Sequence, residues 1–171
     1  MQKLQDYIES GVSFTPAVVC YLRKGNKVLL GLRKKVSFGL GENLIAGIGG
    51  KIGDQPEFQG ETPDEALVRE VSEEVGVAVT KFRRVGQVRF VFPHKPKWSQ
   101  DVVVYVVDEW EGEPRETDAI RPMWFDVTEL PAAQMWDDNR YWLPKVLAGE
   151  CVNATFLFDE NNKVCDYAFQ S

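Results

Sequence analysis

The chain predicts an α/β domain in which a mixed sheet lies between two helices, and three observations carry that expectation. Short β-rich runs recur with turn residues between them, and one, residues 101–109, is apolar almost throughout, as befits a strand covered on both faces. Two segments, opening at Thr62 and near Asp138, combine helical spacing of apolar residues with helix start signals. A length of 171 residues with 44% hydrophobic content suits one domain with its own core. Residues 1–13 are expected to form a polar leader able to make one helical turn, and 14–171 the single domain.

In chain order, the runs 15–23 and 26–33 meet at Gly25-Asn26, which predicts a hairpin. A short strand over 47–51 leads through a long loop to the first helix. Thr62 can cap that helix, Pro63 suits its first position, Glu65 completes a capping box, and Gly76 stops it. Strands follow at 79–92, 101–109 and 122–126. The second helix, 138–148, has Asp137 or Asp138 available as a cap and Trp142, Leu143, Val146 and Leu147 as its apolar stripe; Pro144 should kink or restart it. A last hairpin pairs 154–159 with 163–169 through Glu160-Asn161-Asn162. No repeat or low-complexity segment occurs.

Composition narrows the functions. A net charge of −6 argues against a nucleic-acid polymer as partner, because polymer binding relies on a broad cationic surface. The single histidine, His94, leaves little material for a histidine triad or a zinc cluster. Cys20, Cys151 and Cys165 share no metal-binding spacing and are expected as buried free thiols. The chain has no apolar run that could span a bilayer, and its polar start does not read as a signal peptide. The expectation is a cytoplasmic protein, monomeric or homodimeric, acting on a small anionic partner.

The chemistry concentrates in Arg69-Glu70-Val71-Ser72-Glu73-Glu74-Val75-Gly76-Val77. At about 100° per residue, Glu70, Glu73 and Glu74 share one arc of the helix, next to an apolar arc of Leu67, Val68, Val71 and Val75. A plain solvated acidic face is one reading. Against it, Glu73 and Glu74 lie in the last turn, where the helix dipole disfavours anions, and Glu70 and Glu74 form a like-charged pair four residues apart. A hard divalent cation such as Mg2+, bridging carboxylates to phosphate, relieves both penalties.

The run Gly49-Gly50-Lys51, then Gly60-Glu61-Thr62, then Ala66 to Val77 resembles the Nudix box, G-x5-E-x7-R-E-U-x-E-E-x-G-U with U aliphatic. From Glu61 onward the match is complete. Ten residues rather than five separate Gly50 from Glu61, so Gly53 to Glu57 reads as an insertion, expected to lengthen the loop, leave the helix intact and tolerate removal. Within the Nudix hydrolases the chain is similar to the MutT-like enzymes, closest to the branch acting on oxidised purine nucleoside triphosphates. The segments that carry this likeness are Val28–Lys35, Phe38-Gly39, Val85-Gly86-Gln87, Arg121–Phe125, Met135–Asp138 and Tyr141–Pro144.

The resemblance implies an α/β/α sandwich and hydrolysis of nucleoside triphosphates, purine and 8-oxo-dGTP-like, to monophosphate and pyrophosphate with Mg2+ or Mn2+. It implies that Glu70, Glu73 and Glu74 bind metal or deprotonate its water, that the carbonyl of Gly49 completes the shell, and that Arg69 fixes a glutamate. Arg33 and Lys51 are expected to face phosphates, and Phe38, Phe90, Trp136 and Asp138 the base. Three positions depart from the branch: Ala119 where an extra acid is usual, near Glu116 and Asp118; Ala46 for an asparagine that touches the base; and Asn139 for the second of two aspartates. Two alternatives remain open: a diphosphatase of sugar nucleotides or dinucleotides, with His94-Lys95-Pro96-Lys97 serving further phosphates, and a ligand-sensing domain without catalysis.

Overall fold

The computed structural model describes residues 3–34, 44–53 and 55–170. Its first strand, β1 (Thr15–Lys24), alternates strictly: Ala17, Val19 and Tyr21 point to one face, and Val18, Cys20 and Leu22 to the other. Both faces of this strand are therefore buried, and each face feeds a separate core. A tight turn at Gly25, with φ +59°, returns the chain as β2 (Lys27–Arg33), antiparallel to β1. The expected strand over 47–51 is two short pieces, β3 (Ile45–Ala46) and β4 (Ile48–Lys51), pairing with β2 and β1 respectively.

The remaining strands are β5 (Ala78–Val91), β6 (Gln100–Glu111), β7 (Ile120–Asp126), β8 (Val152–Phe158) and β9 (Val164–Phe169). Among the described residues these nine strands form one mixed sheet, its main path running β3-β2-β1-β6-β5-β8-β9. The apolar β6 is central as expected, parallel to β1 and antiparallel to β5. Its long apolar run follows from burial on both sides.

Two helices cover the faces. Helix α1 (Leu4–Glu9) belongs to neither; it is the leader turn, and its Leu4 packs with Val91 and Leu157. Helix α2 (Pro63–Val75) buries Ala66, Leu67, Val71 and Val75 against Val18, Cys20 and Leu22. Helix α3 (Asn139–Leu147) buries Trp142, Leu143, Val146 and Leu147 on the opposite face, against Tyr21 and Val104. Each such fully buried side chain contributes about 1.5–3 kcal/mol. The α/β/α sandwich is thus observed, and no helix among the described residues is long and apolar enough to cross a membrane.

Four expectations need correction. Val68 does not join the apolar arc of α2; it is 40% exposed, because the helix rests on the sheet along Leu67, Val71 and Val75 and carries Val68 past the contact. Cys20 is buried, but Cys151 and Cys165 are exposed. Cys151 precedes β8, and Cys165 occupies an outward position of the edge strand β9. Pro144 does not restart the helix, which runs unbroken from Asn139 to Leu147, since packing on both sides of it overrides local propensity. Finally, neither candidate aspartate caps α3 through its side chain: Asp138 stands at the N-cap already in helical conformation, φ −65° and ψ −29°.

Candidate active site

The acidic helix starts and stops as its sequence dictates. Thr62 Oγ1 accepts from the Glu65 amide at 3.2 Å, the Glu65 carboxylate returns to the Thr62 amide, and Gly76 ends α2 in left-handed conformation, φ +73°. The cap is worth about 1 kcal/mol. The last carbonyls are met from outside: Thr117 Oγ1 donates to Glu74 O at 2.8 Å and the Arg115 amide to Val75 O at 3.0 Å. The loop before β7 therefore fixes the turn that carries Glu74.

Beneath α2 runs β4, and its glycines are a steric requirement. A Cβ on Gly50 would come within 2.5 Å of Glu70 Oε1, and one on Gly49 would collide with the Val18 carbonyl. A side chain at Gly50 would push Glu70 off the strand, and one at Gly49 would push β4 away from β1.

Arg69 is the hub that orders the acids. Its guanidinium grips Glu61 through two bonds, at 2.6 and 2.9 Å, and reaches Glu70 at 3.0 Å, Glu73 at 3.1 Å and the Lys51 carbonyl at 3.3 Å. The ring of Phe58 covers it, 4.1 Å from centroid to guanidinium carbon. Glu61 is consequently held below the usual carboxylate range by Arg69, with help from the Gly53 amide. Glu61 is a member of the motif whose role the sequence reading left out; its position eight residues before Arg69 was the available signal. Gly53 and Phe58 both belong to the long loop, and these contacts argue against the expectation that shortening it leaves the site untouched.

The three helix glutamates part company. Glu70 and Glu74 are buried, not solvent-facing, whereas the Glu73 side chain is 52% exposed and turned to Arg69, a surface pair of small worth. Burial raises the pKa of Glu70, against the pull of Arg69. It pushes Glu74 up to about 7, with Arg33 opposing and Glu70 adding to the rise. Arg33 does not simply face outward toward phosphate. Its Nη1 donates to Glu74 at 3.2 and 3.4 Å, and its Nη2 to the carbonyls of Gly47 and Gly49 at 3.3 and 3.4 Å.

Among the described residues no three His, Cys, Asp or Glu side chains gather into a metal cluster. A divalent cation is nonetheless matched by what is present: the hard oxygens of Glu70, Glu74 and the Gly49 carbonyl, all of which already meet a guanidinium, that of Arg69 at Glu70 and that of Arg33 at the other two. The extra acid expected near Arg121 is not supplied by Glu116, which pairs with Lys34 at 3.0 Å, and Ala119 packs against the α2 core.

One cavity of about 400 Å³ joins this carboxylate end to an aromatic end. Of the expected residues it brings together Arg33, Gly49, Lys51, Glu70, Glu74, Phe90, Trp136 and Asp138; Arg69 and Glu73 stand outside its lining, and Phe38 lies outside the described residues. The sequence reading missed Phe92, Trp98 and Phe158. Phe92 stacks on Phe158 at 4.4 Å, Trp136 meets Phe92 edge-on at 5.5 Å, and Trp98 meets Trp136 at 6.3 Å. Phe90 near the end of β5 and Phe92 just past it are two apart and pack into the same core, which was a usable signal; Trp98 and Phe158 arrive from distant segments and gave none.

Asp138 lines the same end, fully buried, and accepts the Trp142 indole N–H at 2.7 Å. Burial raises its pKa to about 7, against that bond. Asp137 is occupied elsewhere, accepting the Val164 amide and pairing with Arg140, both at 2.9 Å. The Asn139 amide donates to the Trp136 carbonyl at 3.0 Å. The aromatic end thus offers ring faces for stacking and a buried carboxyl for one edge of a planar ligand.

Comparison with known proteins agrees with this geometry. The model of the NUDIX domain matches residues 13–146. The chain is 34% identical to an oxidized purine nucleoside triphosphate hydrolase of Danio rerio, over 82% of its own length and 85% of the relative, and 32% identical to the mouse protein of that description, over 84% and 86%. In fold it is similar to a mutator MutT protein from Bacillus halodurans, with a TM-score of 0.74 at 20% identity, covering 92% of this chain and 98% of that one.

Proposed function

The chain belongs to the NUDIX family, and we propose that it hydrolyses purine nucleoside triphosphates, oxidised 8-oxo-dGTP-like ones included, to the monophosphate and pyrophosphate. The observation that carries this reading is one cavity with buried carboxylates at one end and an aromatic box with a buried carboxyl at the other. Relatives described as oxidized purine nucleoside triphosphate hydrolases support the substrate class. The protein acts in this reading as a nucleotide-pool enzyme of the cytoplasm, as monomer or homodimer.

Glu70, Glu74 and the Gly49 carbonyl would hold Mg2+, or Mn2+ in its place, and the ion would supply charge neutralisation and an acidified water. The chain's own groups do the rest. Arg69 holds Glu70 in register through its grip on Glu61. Glu70 or Glu74 takes the proton of the attacking water, since both carboxylates line the cavity within which that water is held. Lys51 and Arg33, which line the same cavity, supply cations to the phosphate oxygens in this reading. Trp136 and Phe92 stack on the purine, and Asp138 hydrogen-bonds its edge. Water is excluded by the same aromatic walls.

The test is product identification with Mg2+ over a nucleotide panel. Monophosphate and pyrophosphate from purine triphosphates are expected, with the oxidised purine fastest. Release of orthophosphate, or turnover confined to sugar nucleotides or dinucleotides, would overturn the reading. The second outcome has one observation behind it: Lys95, whose ammonium lies 4.0 Å over the Trp98 ring, places a cation beside the aromatic end.

A further inference from the structure

Arg33 occupies oxygens that the proposed reading assigns to a metal. Its guanidinium bridges Glu74 and the carbonyl of Gly49, with a third contact to Gly47 O. A lone pair that accepts a guanidinium N–H at hydrogen-bond distance cannot at the same time ligate a cation at about 2.1 Å from the same direction. The two positive centres would also stand only a few ångströms apart in a partly buried site, where their repulsion is weakly screened.

We infer that Arg33 is a displaceable counter-cation, exchanging with the divalent metal for Glu74 and the Gly49 carbonyl and turning to the substrate's phosphates when displaced. The inference rests on the reading of Glu70 and Glu74 as the metal site, and deepens it by making metal entry and phosphate capture two halves of one exchange.

The geometry suits a group that must leave. All four contacts, 3.2 to 3.4 Å, lie at the long end of the hydrogen-bond range, unlike the 2.6 and 2.9 Å grip of Arg69 on Glu61. The Arg33 side chain is 25% exposed and lines the cavity, so it has somewhere to go, whereas the Arg69 side chain is 14% exposed. Arg33 also stands at the last residue of β2, its amide anchored to Leu44 O at 2.8 Å, so the backbone stays while the side chain swings.

The experiment is titration of the purified chain with Mn2+, read by the loss of free-ion EPR signal, for wild type, R33M, R33K and E74Q, with folding checked by circular dichroism. R33M removes the competing charge and should bind Mn2+ about tenfold tighter or more; R33K keeps a charge and should stay near wild type. Should R33M fail to fold, R33Q keeps the contacts to the glycine carbonyls without charge and carries the same expectation. In wild type, Mn2+ should increase phenylglyoxal modification of Arg33, read by mass spectrometry. Wild-type binding with R33M or R33Q equal or weaker, or protection of Arg33 by metal, overturns the exchange while leaving the metal site standing. If no variant shows binding that E74Q abolishes, the metal reading itself fails and the exchange with it.

Discussion

The two helices flanking the sheet are built by opposite means. Helix α2 is specified from within: its cap, its box and its left-handed stop lie inside residues 62–76, and its acids are ordered by Arg69 of the same helix. Helix α3 lacks a side-chain cap bond, contains a proline and is held by what it packs against. The contrast extends to the two ends of the cavity. The carboxylate end is local chemistry on a self-sufficient element, whereas the aromatic end is assembled from β5, the turn at 96–98, the start of α3 and β8. A site whose parts can vary independently at one end and not at the other can keep one reaction and change its substrate.

If that contrast holds, damage to α2 should stop chemistry and damage to the aromatic end should alter recognition. Glu74→Gln and Glu70→Gln remove charge at nearly constant volume, and each should lower kcat by about 10²–10⁴-fold. Stopped-flow or steady-state pyrophosphate assays at saturating Mg2+ check this. Trp136→Ala deletes one ring of the box without touching a carboxylate; it should raise KM for purine triphosphates about tenfold, the worth of one stacked base, with the Mg2+ dependence unchanged. A drop in kcat alone would place Trp136 in the core rather than against the base.

How far each end was legible follows from the same difference. Thr62, Glu65, Gly76 and the spacing of Arg69 to its acids are short-range signals, so the helix and its chemistry could be read directly. Glu73 was read as an equal of Glu74 because a helical wheel gives direction but not depth; only the position of β4 beneath α2 decides that Glu70 and Glu74 are buried and Glu73 is not. Trp98 and Phe158 carry no local mark of a pocket, since the ring that joins them, Trp136, lies 38 residues from the first and 22 from the second, and Phe158 stacks on Phe92, 66 residues back. Arg33 was legible as a cation near the site, but not as a partner of Glu74, 41 residues on.

A smaller effect is a pH dependence of stability at the aromatic end. Asp138 is raised from 3.8 to about 7 in the folded chain, so between those values the folded state holds a proton that the unfolded state has lost. Stability should therefore fall as pH rises from about 4 to 7. Asp138→Asn can still accept the Trp142 N–H, and should flatten the part of this slope that Asp138 supplies, measured by thermal melts across the range. An unchanged slope would mean that Asp138 is ionised in the fold. The smallest effect is at the long loop: Phe58→Leu keeps the bulk but removes the ring face over Arg69, costing about 0.5–1 kcal/mol in melts, with Phe58→Tyr restoring it.

The division of labour along the cavity is tested most directly by one set of Michaelis curves for pyrophosphate release, comparing wild type, Glu74→Gln, Trp136→Ala and the double variant on the same purine triphosphate. The account predicts that Glu74→Gln lowers kcat with KM within about threefold, that Trp136→Ala raises KM with kcat nearly kept, and that the double variant shows the product of the two losses, as independent sites do. Losses in the same parameter for both single variants, or a double variant no worse than either, would contradict it.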